Sequence, residues 1–293
     1  MNKTLRNPWT YVLFLLPLLL LYLLFFIYPM ISAFTTGFMK WNGLTEAKFN
    51  GLTNFKHAFG DVLFWDSVLN NGKFILFSVF VQVPLIIFFS LLISNVKKLK
   101  GLYKTAVFVP SVMSTAVIGI LWSFIYEPDI GLFNQILTKI GLQPVMWLSD
   151  TSWAMFSILI TNAWQWTGFY VVMVLAAILS IPREIDEAAI VDGASAWTRA
   201  TRITVPLIMP IISVVIMLSI SGAMKAADII IVMTDGGPGG VTDVMATYLI
   251  KYGITNAKYG YGNSIGVLIF IFSLILTALY QFLVARRVER VEY

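Results

Sequence analysis

Residues 181–210 read IPREIDEAAIVDGASAWTRATRITVPLIMP and stand between two long apolar runs. Seven charged side chains fall within the twenty positions 183–202: Arg183, Glu184, Asp186, Glu187, Asp192, Arg199 and Arg202. At the centre of a bilayer each would cost about 2.5–3.5 kcal/mol, and together roughly 20 kcal/mol. The segment must therefore lie outside the hydrocarbon while its flanks enter it. Its internal pattern predicts two short helices and a sharp turn. Pro182 suits a first helical turn, and Glu184, Asp186 and Glu187 follow where the positive end of a helix favours carboxylates. Asp192-Gly193 breaks the pattern, and Ser195 can cap a second helix. On that helix Trp197, Ala200, Thr201, Thr204 and Ile208 share one face by their spacing. The result is a helical hairpin, acidic on its first arm and basic on its second. From the residues alone it is either a docking element or a solvated loop.

The rest of the chain explains why such a loop has apolar flanks. At 58% hydrophobic and 12% charged, with a mean hydropathy of +0.82, it is far from the quarter-charged composition of a soluble domain. These values identify an all-α integral membrane protein. A net charge of +5 could point to nucleic acid, but the basic residues sort by membrane side instead of forming one patch, so no nucleic-acid partner is expected. The absence of cysteine excludes disulfides, thiolate metal sites and cysteine nucleophiles. The single histidine, His57, sits beside Lys56 in a polar stretch and reads as a surface residue. No G-x-x-x-x-G-K-[ST] occurs, so the chain holds no P-loop nucleotide site, and no cofactor is expected in it.

Six uncharged runs are long enough to cross about 30 Å of hydrocarbon. They predict spans over about residues 10–32, 74–96, 105–126, 152–180, 206–230 and 262–285, with the charged loop at 181–205 between the fourth and fifth. The first run is too long for a signal-peptide core and lacks a cleavage site. An even span count puts both termini on one side. Lys3, Arg6, Lys97, Lys98, Lys100, Lys104, Arg183, Arg199, Arg202, Arg286, Arg287 and Arg290 fall on that side, including every arginine. The other side holds eight lysines spread over longer loops. By the positive-inside rule the termini and the charged hairpin are cytoplasmic, and the expected location is a plasma membrane. The basic turn KKLKGLYK at 97–104 then faces anionic membrane lipid.

Two spans carry polar groups near mid-depth. Asn162, Gln165, Trp166 and Tyr170 lie in the fourth, and Ser219, Lys225 and Asp228 in the fifth. Such groups either pack between helices or line a water-filled path, because an unpaired amide is costly in lipid. Lys225 and Asp228, three apart, are expected to pair on one helical face. Aromatic faces beside amides and hydroxyls suit a sugar, with its apolar C–H face and rim of hydroxyls. Outside the membrane, the loop of about 40–73 carries turn residues and apolar faces for a short interfacial helix, 132–140 reads as an amphipathic helix, and the run 234–240 (TDGGPGG) as a tight turn.

Glu187-Ala188-Ala189, then Asp192-Gly193-Ala194, then Ile203-Thr204-Val205-Pro206, resembles the EAA loop of bacterial ABC importer permeases. Lys225-x-x-Asp228 with the TDGGPGG turn, and Tyr259-Gly-Tyr-Gly-Asn before the sixth span, resemble the carbohydrate-uptake branch in its first-permease type. The resemblance covers about residues 11–287. It implies the type I permease fold, with six transmembrane helices and a cytoplasmic coupling hairpin, and the role of a permease subunit that forms half of a sugar pathway. The implied partners are a second homologous permease, two ATPase subunits carrying the ATP and magnesium, and an extracellular solute-binding protein that meets the outer loops. On the hairpin it implies that Glu187 contacts a basic residue of the ATPase, that Asp192 and Gly193 form the turn, and that Ala188 and Ala189 pack closely. An oligosaccharide fits the spans better than glycerol phosphate or a polyol, since no basic cluster lies within them. An ion-driven secondary transporter would want buried carboxylates, of which Asp228 is the one candidate. A membrane enzyme lacks the necessary acid, thiol and histidine clusters.

Overall fold

The computed structural model of the chain describes residues 8–285. In order these form α1 (Tyr11–Gly37), a hairpin of β1 (Met39–Lys40) and β2 (Lys48–Phe49), α2 (Thr53–Gly60), α3 (Val62–Asn95), α4 (Lys100–Val112), α5 (Thr115–Ile125) and α6 (Leu132–Lys139). There follow α7 (Ala154–Ser180), α8 (Arg183–Val191), α9 (Ala196–Leu207), α10 (Met209–Ala223), α11 (Ala227–Met233), α12 (Met245–Tyr248) and α13 (Tyr259–Leu283). Helices α1, α3, α7 and α13 are each long and apolar enough to cross a membrane. Two bent pairs, α4 with α5 and α9 with α10, bring the crossings to six if each pair is one span. Lys3, Arg6, Arg286, Arg287 and Arg290, on which part of the orientation argument rests, lie outside the described residues.

Three expected helix limits differ from those found. The span expected at 105–126 is broken: α4 and α5 meet at 99° across Met113 and Ser114, both extended. Pro110 has no N–H to give to the preceding turn, so the helix is already weakened there. The span expected at 206–230 also breaks, by 68° at Ile208 between two prolines, Pro206 and Pro210, and again at residues 224–226. Helix α3 begins at Val62, well before the expected residue 74. Asp66, Asn70, Asn71 and Lys73 made the sequence look solvated there, but Asn70 and Asn71 are buried.

The chain divides into two compact units, the first comprising residues 1–61 and 249–270 and the second 62–248 and 271–293. In the first unit Asn54 Nδ2 donates to the carbonyls of Gly37 and Met39, both at 2.9 Å, tying α2 to the end of α1. The amino end of α13 closes on the hairpin, with Gly260 N–H bonded to Trp41 O at 3.0 Å and Asn263 Nδ2 to Thr36 Oγ1 at 2.6 Å. No residue in the apolar window of α1 is buried, so that helix is left for lipid or another chain.

In the second unit, α3 and α4 pack against α7. Apolar side chains gain nothing by leaving lipid, so the contacts rest on close approach and hydrogen bonds. Gly168 of α7 lies against the Val107 backbone of α4, and an added Cβ would overlap the Val107 carbonyl. Ser90 Oγ donates to Val171 O at 3.2 Å. Asn71 Nδ2 donates to Ala223 O at 2.8 Å while its Oδ1 accepts from Met245 N at 2.9 Å, and Asn70 Nδ2 reaches the carbonyls of Val241 and Asp243. Those two amides anchor the segment 241–245 that follows the glycine-rich turn, which side-chain spacing alone does not reveal. One core cluster gathers Phe74, Ile118, Trp122, Ile158 and Ile230, and another Ile86, Val174, Leu175, Ile212 and Val215.

Gly168→Val forces α4 away from α7 and should cost about 1–3 kcal/mol or more through overpacking. Its melting temperature in detergent should fall clearly below the parent's. Gly72→Ala, whose Cβ would meet nothing within 4 Å, should leave it unchanged or raised. Equal melting of all three proteins would remove the close helix contact from the account.

Candidate functional site

The charged segment folds as a hairpin of two helical arms. Pro182 takes the cap position before α8, one residue earlier than a first-turn proline, and its carbonyl accepts from Ile185 N at 3.3 Å. Glu184 and Asp186 lie in the first turn of α8. At the far end, Ala194 N–H bonds to Ala189 O at 2.9 Å and Gly193 N–H to Ile190 O at 3.0 Å. These are the two bonds of a Schellman stop, which needs a left-handed residue after the cap, and Gly193 has φ +77° there. Ser195 Oγ then accepts from Thr198 N at 3.1 Å and caps α9. The arms are joined by an ion pair, Arg199 Nε to Asp186 Oδ1 at 2.9 Å. Asp186 is largely exposed, so the pair contributes at most about 1 kcal/mol; its value is in the register of the arms.

The exposed side of the hairpin is distinctive. Glu187 is exposed and forms no ion pair among the described residues; Ala188 and Asp192 are exposed, and Ala189 is buried. Val191 is 86% and Trp197 78% exposed, with Ile190 half exposed. The stripe expected on the second arm is therefore not a packed face. Trp197 and Thr201 face out and only Ile208 is buried, because residues 200–204 are wound as π-helix and shift the register. An apolar cleft of about 300 Å³, lined by Ala177, Ile181, Ile185, Leu207, Ile208 and Ile211, lies where the hairpin joins α7 and α10.

A second site lies within the spans. A cavity of about 210 Å³ is walled by Asn162, Trp166 and Tyr170 of α7, Ser219 of α10, and Lys225 and Asp228 beyond it. Six of the seven polar residues singled out in the sequence thus meet at one wall. The seventh, Gln165, is fully buried behind it; its Nε2 donates to Thr115 Oγ1 at 3.1 Å and lies 3.4 Å from Met113 O, bracing the break between α4 and α5. Lys225 and Asp228 are both exposed and form no ion pair among the described residues. The expected pairing assumed a continuous helix, whereas α10 stops at Ala223 and α11 starts at Ala227. Three wall residues, Ser78, Gln82 and Thr115, lie in apolar runs of other spans, and no spacing rule selects them. Gln82 Nε2 lies 3.4 Å from both Ala163 O and Thr167 Oγ1. Ser219 Oγ, close to the Tyr170 hydroxyl, is buried with no hydrogen bond of ordinary length. Donors, acceptors and two aromatic side chains therefore converge on one small cavity, which can hold a polar solute by hydrogen bonds and ring contact.

Comparison with known proteins meets the same features. Residues 63–290 match the family described as binding-protein-dependent transport system inner membrane component. The trehalose/maltose transport system permease protein MalF of Thermococcus litoralis is 34% identical over 269 residues, covering 92% of this chain and 91% of that one. The arabinooligosaccharides transport system permease protein AraP of Bacillus subtilis is 30% identical, covering 90% of this chain and 85% of the other. Among solved structures, a bacterial ABC transporter involved in the import of the acidic polysaccharide alginate aligns with a TM-score of 0.85 at 26% identity over 99% of both chains. The alginate transporter in complex with alginate pentasaccharide-bound periplasmic protein gives a TM-score of 0.86 at 26% identity, over 98% of this chain and 97% of that one. With its broken spans, its hairpin and this likeness along nearly its whole length, the chain belongs to the family of binding-protein-dependent transport system inner membrane components, the permease subunits of ABC importers.

Proposed function

We propose that this permease forms half of the translocation pathway for a saccharide, an oligosaccharide in preference to glycerol phosphate or a polyol. The observation that carries the reading is that the hairpin and the cavity share helices. Helix α7 supplies Asn162, Trp166 and Tyr170 to the wall and passes into α8 within three residues; α10 supplies Ser219 and follows directly from α9. Anything that grips the hairpin displaces the wall. Trp166 and Tyr170 offer ring faces to a pyranose, while Asn162, Ser219, Lys225 and Asp228 offer partners to its hydroxyls. The relatives named for trehalose, maltose, arabinooligosaccharides and alginate support a sugar.

The partners follow from what the chain lacks and what it exposes. Exposed Val191, Trp197 and Glu187 on a solvated loop suit docking into a cleft of a separate ATPase subunit, where ATP and magnesium act. In this reading Glu187 meets a basic group of that cleft, Asp192 and Gly193 hold the turn, and the small side chains of Ala188 and Ala189 allow close approach. The work transmitted depends on the hairpin being held differently in the two nucleotide states. At about 210 Å³ the cavity is smaller than the ~300–1,000 Å³ usual for a ligand site, which favours completion by a second, homologous permease. An external solute-binding protein delivers the solute, and the termini and hairpin face the cytoplasm.

Glu187→Lys sets a cation against the basic docking group and should lower solute-dependent uptake by roughly tenfold or more with normal amounts of protein in the membrane. Uptake at the parental rate in such cells would contradict the docking role. Trp166→Ala removes a ring face from the wall and should raise the apparent KM for sugar about tenfold, by loss of roughly 1–3 kcal/mol of contact. An unchanged KM, with transport intact, would place the solute elsewhere.

A further inference from the structure

A helix begins inside the pathway wall. Thr115, the first residue of α5, lines the cavity, and the 99° turn from α4 makes this a true helix start at the depth of the spans. The start is uncapped: Ser114 occupies the cap position but its side chain bonds to nothing there. The first α5 amide with an acceptor is Ile118 N–H, bonded to Ser114 O at 3.0 Å, which leaves the N–H groups of Thr115, Ala116 and Val117 unfilled. Such a start carries a partial positive charge of about half a unit. In hydrocarbon, open backbone of this kind is tolerated where it borders a hydrated cavity.

A second observation points at the same space. Ser219 Oγ is buried at 4% exposure, lines the cavity and makes no hydrogen bond of ordinary length. Thr115 Oγ1 accepts from Gln165 Nε2, so its own hydrogen remains to be donated into the cavity. Lys225 adds an ammonium. Against these stands one carboxylate, Asp228, in the first turn of α11, where the amides of that helix already favour its charge. The formal charges of Lys225 and Asp228 cancel, and the α5 helix end is the remainder.

We propose that the uncapped start of α5, with Ser219 and Lys225, is a subsite for an anionic oxygen group on the transported saccharide, such as the carboxylate of a uronate, while Asp228 receives the sugar hydroxyls. Gln165 is the positioning residue: it holds Thr115 at the break and sets the direction of the helix end. The proposal rests on reading the cavity as the solute pathway.

Because the chain has no cysteine, Ala226→Cys puts a single thiol of this chain on the cavity wall. Maleimide labelling of that thiol, in the assembled importer in lipid nanodiscs, is measured against galacturonate and mannuronate trisaccharides and their neutral methyl esters. The subsite predicts that an acid protects the thiol at about tenfold lower concentration than its ester, as a charge-assisted hydrogen bond allows. Ser219→Ala and Lys225→Gln should each reduce that preference to about twofold, weakening protection by the acid far more than protection by the ester. Equal protection by acid and ester, or variants that weaken both alike, would overturn the subsite and leave the pathway reading in place. Absence of protection by either would overturn both.

Discussion

The contact at Gly168 is the constraint on which the second unit depends. Lipid gives apolar helices no reason to associate, so a bundle holds where backbones come close enough for dispersion and hydrogen bonding to act. At Gly168 the missing side chain lets α7 lie on the backbone of α4, and one turn earlier Gln165 reaches across to Thr115 and Met113. On the other side Ser90 and Gln82 of α3 bond to groups of α7. Helix α7 is thereby fixed to two neighbours through polar groups that would be costly to expose to hydrocarbon.

That fixation gives the hairpin its mechanical meaning. A loop on a loose tether would move alone, but α8 starts three residues after α7 ends, and a Schellman stop and a serine cap hold its turn. The Asp186–Arg199 pair keeps the arms in register. Displacement of the turn would therefore be passed to α7 and α10, which carry Asn162, Trp166, Tyr170 and Ser219 of the wall. The break between α4 and α5 is where such motion can be taken up: α4 is held by α7 at Gly168, whereas α5, hydrogen-bonded to α7 at its start through Gln165 and Thr115, lies by Gly119 against Val232 and Ile229 of α11, so Thr115 is the pivot. Packed helices of this kind move by small shear or by hinging at their ends.

Much of this was legible before any coordinates. Charge density alone placed residues 183–202 outside the hydrocarbon, and Asp192-Gly193 marked a turn that the Schellman bonds explain. Polar residues in apolar spans singled out six members of the wall, since such residues are expensive unless they face one another or water. Gln165 has the same cost and the same type, yet its amide is spent behind the wall; which side of a helix faces a cavity is a tertiary fact. Ser78 and Thr115 were silent because small polar residues in a span usually bond to their own helix, and Gln82 because it stands between valines in an apolar run with nothing polar beside it. The break at 113–114 escaped because it sits within an apolar and small-residue run, and that at 224–226 because Lys225 and Asp228, three apart, read as a pair on one continuous helix. Asn70 and Asn71 misled in the opposite direction: they read as solvent-facing, but they bond to the carbonyl of Ala223 and to the backbone of 241–245, the segment that follows the distant glycine-rich turn.

The claim at the centre is that the hairpin and the α7 side of the wall move as one body while the α5 side moves relative to it. Spin labels at Ala188 and Phe169 test the first half, and labels at Phe169 and Ile120 the second, in the assembled importer with and without bound nucleotide. The account predicts that the 188–169 distance holds within about 2 Å between states while the 169–120 distance changes by more than that. A 188–169 distance that shifts while 169–120 stays fixed would contradict it.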